Sequence, residues 1–389
     1  SFAIDPAGMI YPGNDFTYET TNDQEPGTHW YHDHKMHDTG RNVVMGLAGF
    51  FLIQPNSESL YNNVRDTLPS GEYEIGLAFQ DRSFTSTNQF DYPMNWEELK
   101  SSGLVTAGYF GNRMLVNGVH APYLDVKRTW YRFRLLNGCN ARQLRLEVQT
   151  SGGSRRNVMY QIGTEGGHIS QPTFRSSITM NPGERYDILV DFSGFSSGTR
   201  LYLRNTNSQS PSLPNMMEFR VNGSGPSFNL PSSLVNYSNM FPTNPTVSRS
   251  FTLSRSNSRW VIGNLGYAPN VANLQVRRGT TERWTFSGMM SMHPHPMHVH
   301  LVQFKIEGVS SSSLEYGWKD IVTIPAGNGS RSIVAHFDGE PGIYMFHCHN
   351  LEHEDYDMML QYEICDDSSA HPCSSTLLGK FVGGGGGGH

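Results

Sequence analysis

The chain has 389 residues, enough for two or three domains, with 40 Gly, 21 Pro and only 16% charged residues. That balance favours many short strands joined by turns over a helical protein. The formal net charge is −6 and no basic run exists, which argues against a nucleic-acid partner, and no apolar stretch approaches a membrane span.

Residues 1–28 carry few periodic signals. Then comes Thr28-His29-Trp30-Tyr31-His32-Asp33-His34, followed by the apolar run from Val43 to Ile53, short enough to read as a buried strand. On a strand, both imidazoles of an H-x-H pair share one face, so His32 and His34 suit one metal or two adjacent metals. The flanking His29 and His37 are expected to be surface histidines. Residues 55–70 are polar and loop-like. The expected organisation is a first unit over 1–58, a second over 66–222, a Ser/Pro/Asn-rich linker over 223–248, a third unit over 249–365 and a tail over 366–389.

The second unit reads as all-β. Its strand candidates run from Tyr73 to Phe79, Arg113 to Val116, Trp130 to Leu136, Leu144 to Val148, Ile188 to Phe192 and Leu201 to Arg204, with Asn-Gly punctuation between them. Its His120 and His168 are isolated and read as ordinary surface or hydrogen-bonded histidines. In the third unit strands are expected from Thr281 to Phe286, Leu301 to Ile306, Ile321 to Ile324, Ile333 to Phe337 and Ile343 to Phe346. No long amphipathic helix pattern appears anywhere. Cys139 reads as a small core residue. Cys365 and Cys373 lie close together and can form a disulfide, which implies an oxidising compartment.

Two further clusters carry chemistry. In His295-Pro296-Met297-His298-Val299-His300, His298 and His300 share a strand face, and His295, before the Pro, can serve a different site. His293 reads as a neighbour of ligands. In His347-Cys348-His349-Asn350-Leu351-Glu352-His353, continuing to Met358, Cys348 points one way and His347 and His349 the other. Cys348, His353 and Met358 supply a thiolate, an imidazole and a thioether. With His295 they suit a blue-copper electron-transfer centre. A structural zinc site would use four ligands, usually with several thiolates. Met289, Met290, Met292 and Met297 crowd the second cluster. Thioethers favour Cu(I), but the expected role is gap-filling in a core.

The stretches WYHDH at 30–34, HPMHVH at 295–300 and HCHNLEHEDYDMM at 347–359 resemble the multicopper oxidases, in particular the bacterial spore-coat laccase and bilirubin oxidase group. Leu68 to Tyr73, Tyr131 to Arg134, Glu184 to Asp187 and Gly317 to Asp320 extend the likeness, which covers about residues 11–364. The resemblance implies tandem cupredoxin domains, each a Greek-key β-barrel, with a type 1 copper and a trinuclear cluster between the first and third. It implies type 1 copper on His295, Cys348, His353 and Met358, type 2 copper on His298, one type 3 copper on His32 and His349, and the other on His34, His300 and His347. It implies oxidation of a small aromatic, phenolic or tetrapyrrole reductant, or alternatively of a reduced metal ion (Cu(I), Fe(II) or Mn(II)), at the type 1 site, through an exposed edge of His353 or His295. Electrons then pass through the Cys348 sulfur to His347 and His349, and O2 is reduced to water. Glu354 resembles a proton-delivering carboxylate. A monomer that is secreted or displayed at a spore or cell surface is expected. The family's further motif, H-x-H-G, has no counterpart among the 16 histidines. The first domain is therefore expected to be incomplete, in a chain that is a piece of a longer enzyme rather than a short electron-transfer protein.

Overall fold

A computed structural model describes residues 17, 22, 24–209, 211–236, 242–256, 259–269, 271–288, 293–374 and 377. Of the sequence expectations, those on Met289, Met290 and Met292 lie outside the described residues. Strand makes up 45% and helix 9%, so the chain is all-β. The longest helices among the described residues have six residues, and none is long and apolar enough to cross a membrane.

Residues 74–224 build a seven-stranded and a five-stranded sheet. Between them lies a core that includes Phe79, Phe133, Leu146, Ile188, Phe219 and Cys139. Residues 247–365 build two five-stranded sheets around Phe251, Trp284, Phe286, Phe346 and Tyr362. Period-2 alternation explains both pairs, because each strand turns one face inward. Arg113–Val116 and Ile321–Ile324 form as the pattern predicts. The stretch between these two pairs of sheets is not free-standing. Its Leu234 and Val235 are buried with Ile162 and Leu189.

Two expectations fail locally. The run from Val43 to Ile53 is not one buried strand. Thr39–Val44 is a helix, Gly46 turns the chain at φ +105, and only Ala48–Ile53 is extended. The helix forms because the Asp355 carboxylate, far away in sequence, accepts the amides of Thr39 and Gly40 (3.1 and 2.7 Å). That supplies the N-terminal cap the local sequence lacks. The strand pairs antiparallel with Gly27–His32 in a two-stranded sheet that leaves Phe51 and Leu52 exposed. The strand expected from Leu301 is Phe304–Ile306 alone. Leu301 has φ +71, and the His300 carbonyl accepts both the Val302 amide and the Tyr362 hydroxyl. That turn bends the chain before the strand can begin.

Candidate metal centres

The strand Gly342–Cys348 lies between Met359–Cys365 and His295–Val299. Its register sets His347 beside His298 and Cys348 beside Met297. Alternation sends these pairs to opposite faces, so one strand serves two sites.

On the core face, Cys348 Sγ lies 3.5 Å from His295 Nδ1 and 3.7 Å from His353 Nδ1. All three side chains are buried. His353 is on the short helix Leu351–Asp355, whose N-cap Asn350 accepts the His353 amide. Met358 is fully buried in the same core as Cys348. Its amide donates to the His353 carbonyl, and its own carbonyl accepts the Cys348 amide. The expected exposed edge does not exist: His353 and His295 are 0% and 1% exposed. Trp260 packs on both rings, at centroid distances of 5.5 Å and 4.5 Å. The Thr106 carbonyl, on the helix Leu104–Ala107, accepts from His353 Nε2 (3.2 Å) and Trp260 Nε1 (3.1 Å). A carbonyl only accepts, so the His353 proton sits on Nε2 and the lone pair on Nδ1 faces the sulfur.

On the opposite face six imidazoles gather from three stretches of chain. His347 Nε2 lies 3.2 Å from His34 Nε2 and 3.1 Å from His300 Nε2. His298, His349 and His32 complete the group through ring contacts of 4.9 to 5.9 Å. Backbone carbonyls hold Nδ1 of His32 (Asp33, 2.7 Å), His298 (Asp320, 2.8 Å) and His347 (Cys348, 3.1 Å). The Nε2 atoms of these three rings are thereby left as the lone-pair side, and that of His347 faces the His34 and His300 rings. Trp30 stacks on His349. Glu354, 1% exposed, sits 3.3 Å from His34 Nδ1 and 3.0 Å from His347 Nδ1. Burial raises its carboxyl above the usual range, and the neighbouring His34 and His32 oppose that rise.

A multicopper oxidase family model matches residues 240–368 and a second matches residues 3–58. Over 386 residues the chain is 31% identical to a laccase of Bacillus stratosphericus, covering 89% of this chain and 73% of that protein. The chain belongs to the multicopper oxidase family. It is also 31% identical to a bilirubin oxidase of Albifimbria verrucaria, covering 90% of this chain and 63% of that protein. The crystal structure of the McoA multicopper oxidase from Aquifex aeolicus superimposes with a TM-score of 0.76 at 30% identity, over 88% of this chain and 76% of that one. The tandem-cupredoxin fold class is thus the one expected.

The family implies copper, and the donors of this multicopper oxidase fit it. Burial takes His34 and His295 down to about 3 and His298 and His347 to about 4. It lowers His32, His300, His349 and His353 as well. The rings are therefore neutral and keep lone pairs. Nδ1 of His34 and of His349 is buried with no hydrogen-bond partner. Burial also pushes the Cys348 thiol up, so it ionises only when a cation stands beside it.

Other residues fall where their surroundings dictate. His29 is half-buried, not a surface residue; it stands near Arg185 and Asp320, and burial takes it down to about 4. His37 is exposed, packs at a tilt on Trp96 and bonds to the Asp355 carbonyl. His168 is buried against Arg132 and His120 bonds to the Met114 carbonyl. Cys365 and Cys373 are disulfide-bonded, and Cys139 is a buried free thiol. Trp260 and Thr106 shape the thiolate site without being singled out by the sequence, because each acts across the fold and carries no local pattern.

Proposed function

We propose that this multicopper oxidase is laccase-like. It takes single electrons from small phenolic, aromatic or tetrapyrrole donors and couples four of them to the reduction of O2 to water. The observation that carries this reading is the tripeptide His347-Cys348-His349, which joins a thiolate–imidazole pocket to a six-histidine pocket through adjacent residues. His295, Cys348, His353 and Met358 would hold type 1 copper, and His298 type 2 copper. His32 with His349, and His34 with His300 and His347, would hold the type 3 pair. Copper, when bound, supplies the one-electron steps and the reduction of O2.

The chain's own residues do the rest. Trp260 and the Thr106 carbonyl orient His353 and keep water from the sulfur. Donors therefore meet this cover and not a bare imidazole. Glu354 can hold a proton between His34 and His347, where O2 reduction consumes protons. The laccase and bilirubin oxidase relatives support donors of these classes. The disulfide supports a secreted or surface location, and the working unit is a monomer. The test is copper per chain with absorption and paramagnetic resonance, plus O2 consumption with a phenol. Where the family's H-x-H-G ligands are also present, about four coppers, blue colour and O2 consumption are expected. One blue copper with no O2 consumption would reduce the reading to an electron-transfer protein.

A further inference from the structure

The second unit supplies none of the candidate ligands, yet one of its corners presses into the histidine group. The corner lies between the strands Ile178–Met180 and Arg185–Asp191. Gly183 has φ +78, a conformation that favours glycine. Its amide donates to the Asn137 carbonyl at 2.8 Å, and the Glu184 carbonyl accepts the Asn137 amide at 3.1 Å. The Glu184 carboxylate takes the Asn181 amide at 2.6 Å. The corner is therefore rigid. A Cβ on Gly183 would stand 2.6 Å from Cδ2 and 2.7 Å from Nε2 of His349, and 2.8 Å from the Ile321 side chain. The glycine backbone forms one wall of the His349 ring.

Two residues on, Arg185 is buried and spends its guanidinium on three parts of the fold. Nε donates to the Thr28 carbonyl (3.0 Å), on the strand that ends at His32. Nη1 donates to the Gly183 carbonyl of its own corner (3.0 Å). Nη1 and Nη2 grip the Asp320 carboxylate bidentately at 2.9 and 2.7 Å. Asp320 in turn presents its backbone carbonyl to His298 Nδ1 at 2.8 Å. A fork of this kind fixes direction as well as distance.

We propose that the corner Gly183–Arg185 is a positioning element of the histidine group. It sets His349 by direct contact, His298 through Asp320, and the strand leading to His32 through Thr28. No contact from this corner reaches His295, Cys348 or His353 among the described residues, so the effect is selective for one of the two centres. The proposal rests on the copper reading above.

The experiment compares the copper-loaded protein with Gly183→Ala and Arg185→Lys. The control is Gly198→Ala, also in the second unit, where φ is +88 but an added methyl meets nothing within 4 Å. Arg185→Lys keeps the charge that Asp320 needs but loses the fork. Both test variants are expected to keep the blue absorption and its bleaching by a donor without O2. They should bind less copper per chain, show an altered paramagnetic signal from non-blue copper, and consume O2 about a hundredfold more slowly, as ligand misplacement near 1 Å would cause. Gly198→Ala should resemble the unaltered protein. Normal non-blue copper and O2 consumption in both variants would overturn the proposal. So would loss of the blue centre in parallel in both, including through failure to fold, because the effect would then not be selective. An unaltered protein with blue copper alone would sink the copper reading itself, and this inference with it.

Discussion

Trp260 is the lid on the thiolate pocket, and replacing it tests how that pocket is sealed. The indole is 4% exposed, with its ring 4.5 Å from His295 and 5.5 Å from His353. Trp260→Ala removes a large buried side chain, at a cost of about 3–5 kcal/mol. It also removes the 3.1 Å bond to the Thr106 carbonyl, but that carbonyl still accepts from His353 Nε2, so this loss adds only about 1 kcal/mol. Trp260→Phe keeps most of the apolar body and should lose about 1–2 kcal/mol, chiefly the hydrogen bond and the second ring. The functional effect should follow the cavity and not the hydrogen bond. Water admitted beside His353 raises the local polarity and favours the more highly charged, oxidised centre, so the midpoint potential of the blue centre should fall in Trp260→Ala and barely move in Trp260→Phe. Denaturant melts of the copper-loaded variants and a redox titration of the blue absorption give both quantities. If Trp260→Ala costs under about 1 kcal/mol, or if the two variants shift the potential alike, Trp260 does not seal the site and the argument fails.

Three other outcomes are expected. Metal-free protein should lose stability as pH falls below about 6.5. His34, His295, His298 and His347 are held at about 3 to 4 when folded, so the unfolded chain takes up protons first, and each ring costs about 1.4 kcal/mol per pH unit down to its folded value. Denaturant melts of the metal-free protein between about pH 7 and 4 check this, and a stability that stays flat across that window would refute it. Glu354→Gln should slow O2 consumption about 10²-fold while a donor still bleaches the blue absorption at the normal rate without O2; equal slowing of both steps would contradict a proton-holding role. Lys319, 0% exposed, contacts Glu165 at 2.6 Å and Glu184 at 2.8 Å. Lys319→Met should therefore destabilise by about 3–5 kcal/mol by leaving buried carboxylates unpaired, and a loss within 1 kcal/mol in denaturant melts would show that they are paired otherwise.

Much of the site could be read from the sequence because its grouping depends on period-2 geometry. His347 and His349 separate from Cys348 by alternation, and the register with His298 and Met297 repeats the same division. What stayed hidden acts at long range. Thr106 reaches His353 across 247 positions and Trp260 across 154, and Arg185 reaches Asp320 across 135. No spacing rule links such residues. The run from Val43 to Ile53 misled for another reason. Apolar content alone cannot separate a short buried helix from a strand, and what decided it was a cap supplied by Asp355.

The two pockets differ in how far apart their donors lie along the chain. Cys348 and His295 are 53 positions apart, whereas His34 and His347 are separated by 313. Closing the longer loop costs more chain entropy and waits on the docking of separately folded parts. A newly made chain refolding with copper present should therefore turn blue first, on the third unit's own donors, and become competent to consume oxygen only later. The delay between colour and activity would time the arrival of the strand that carries His32.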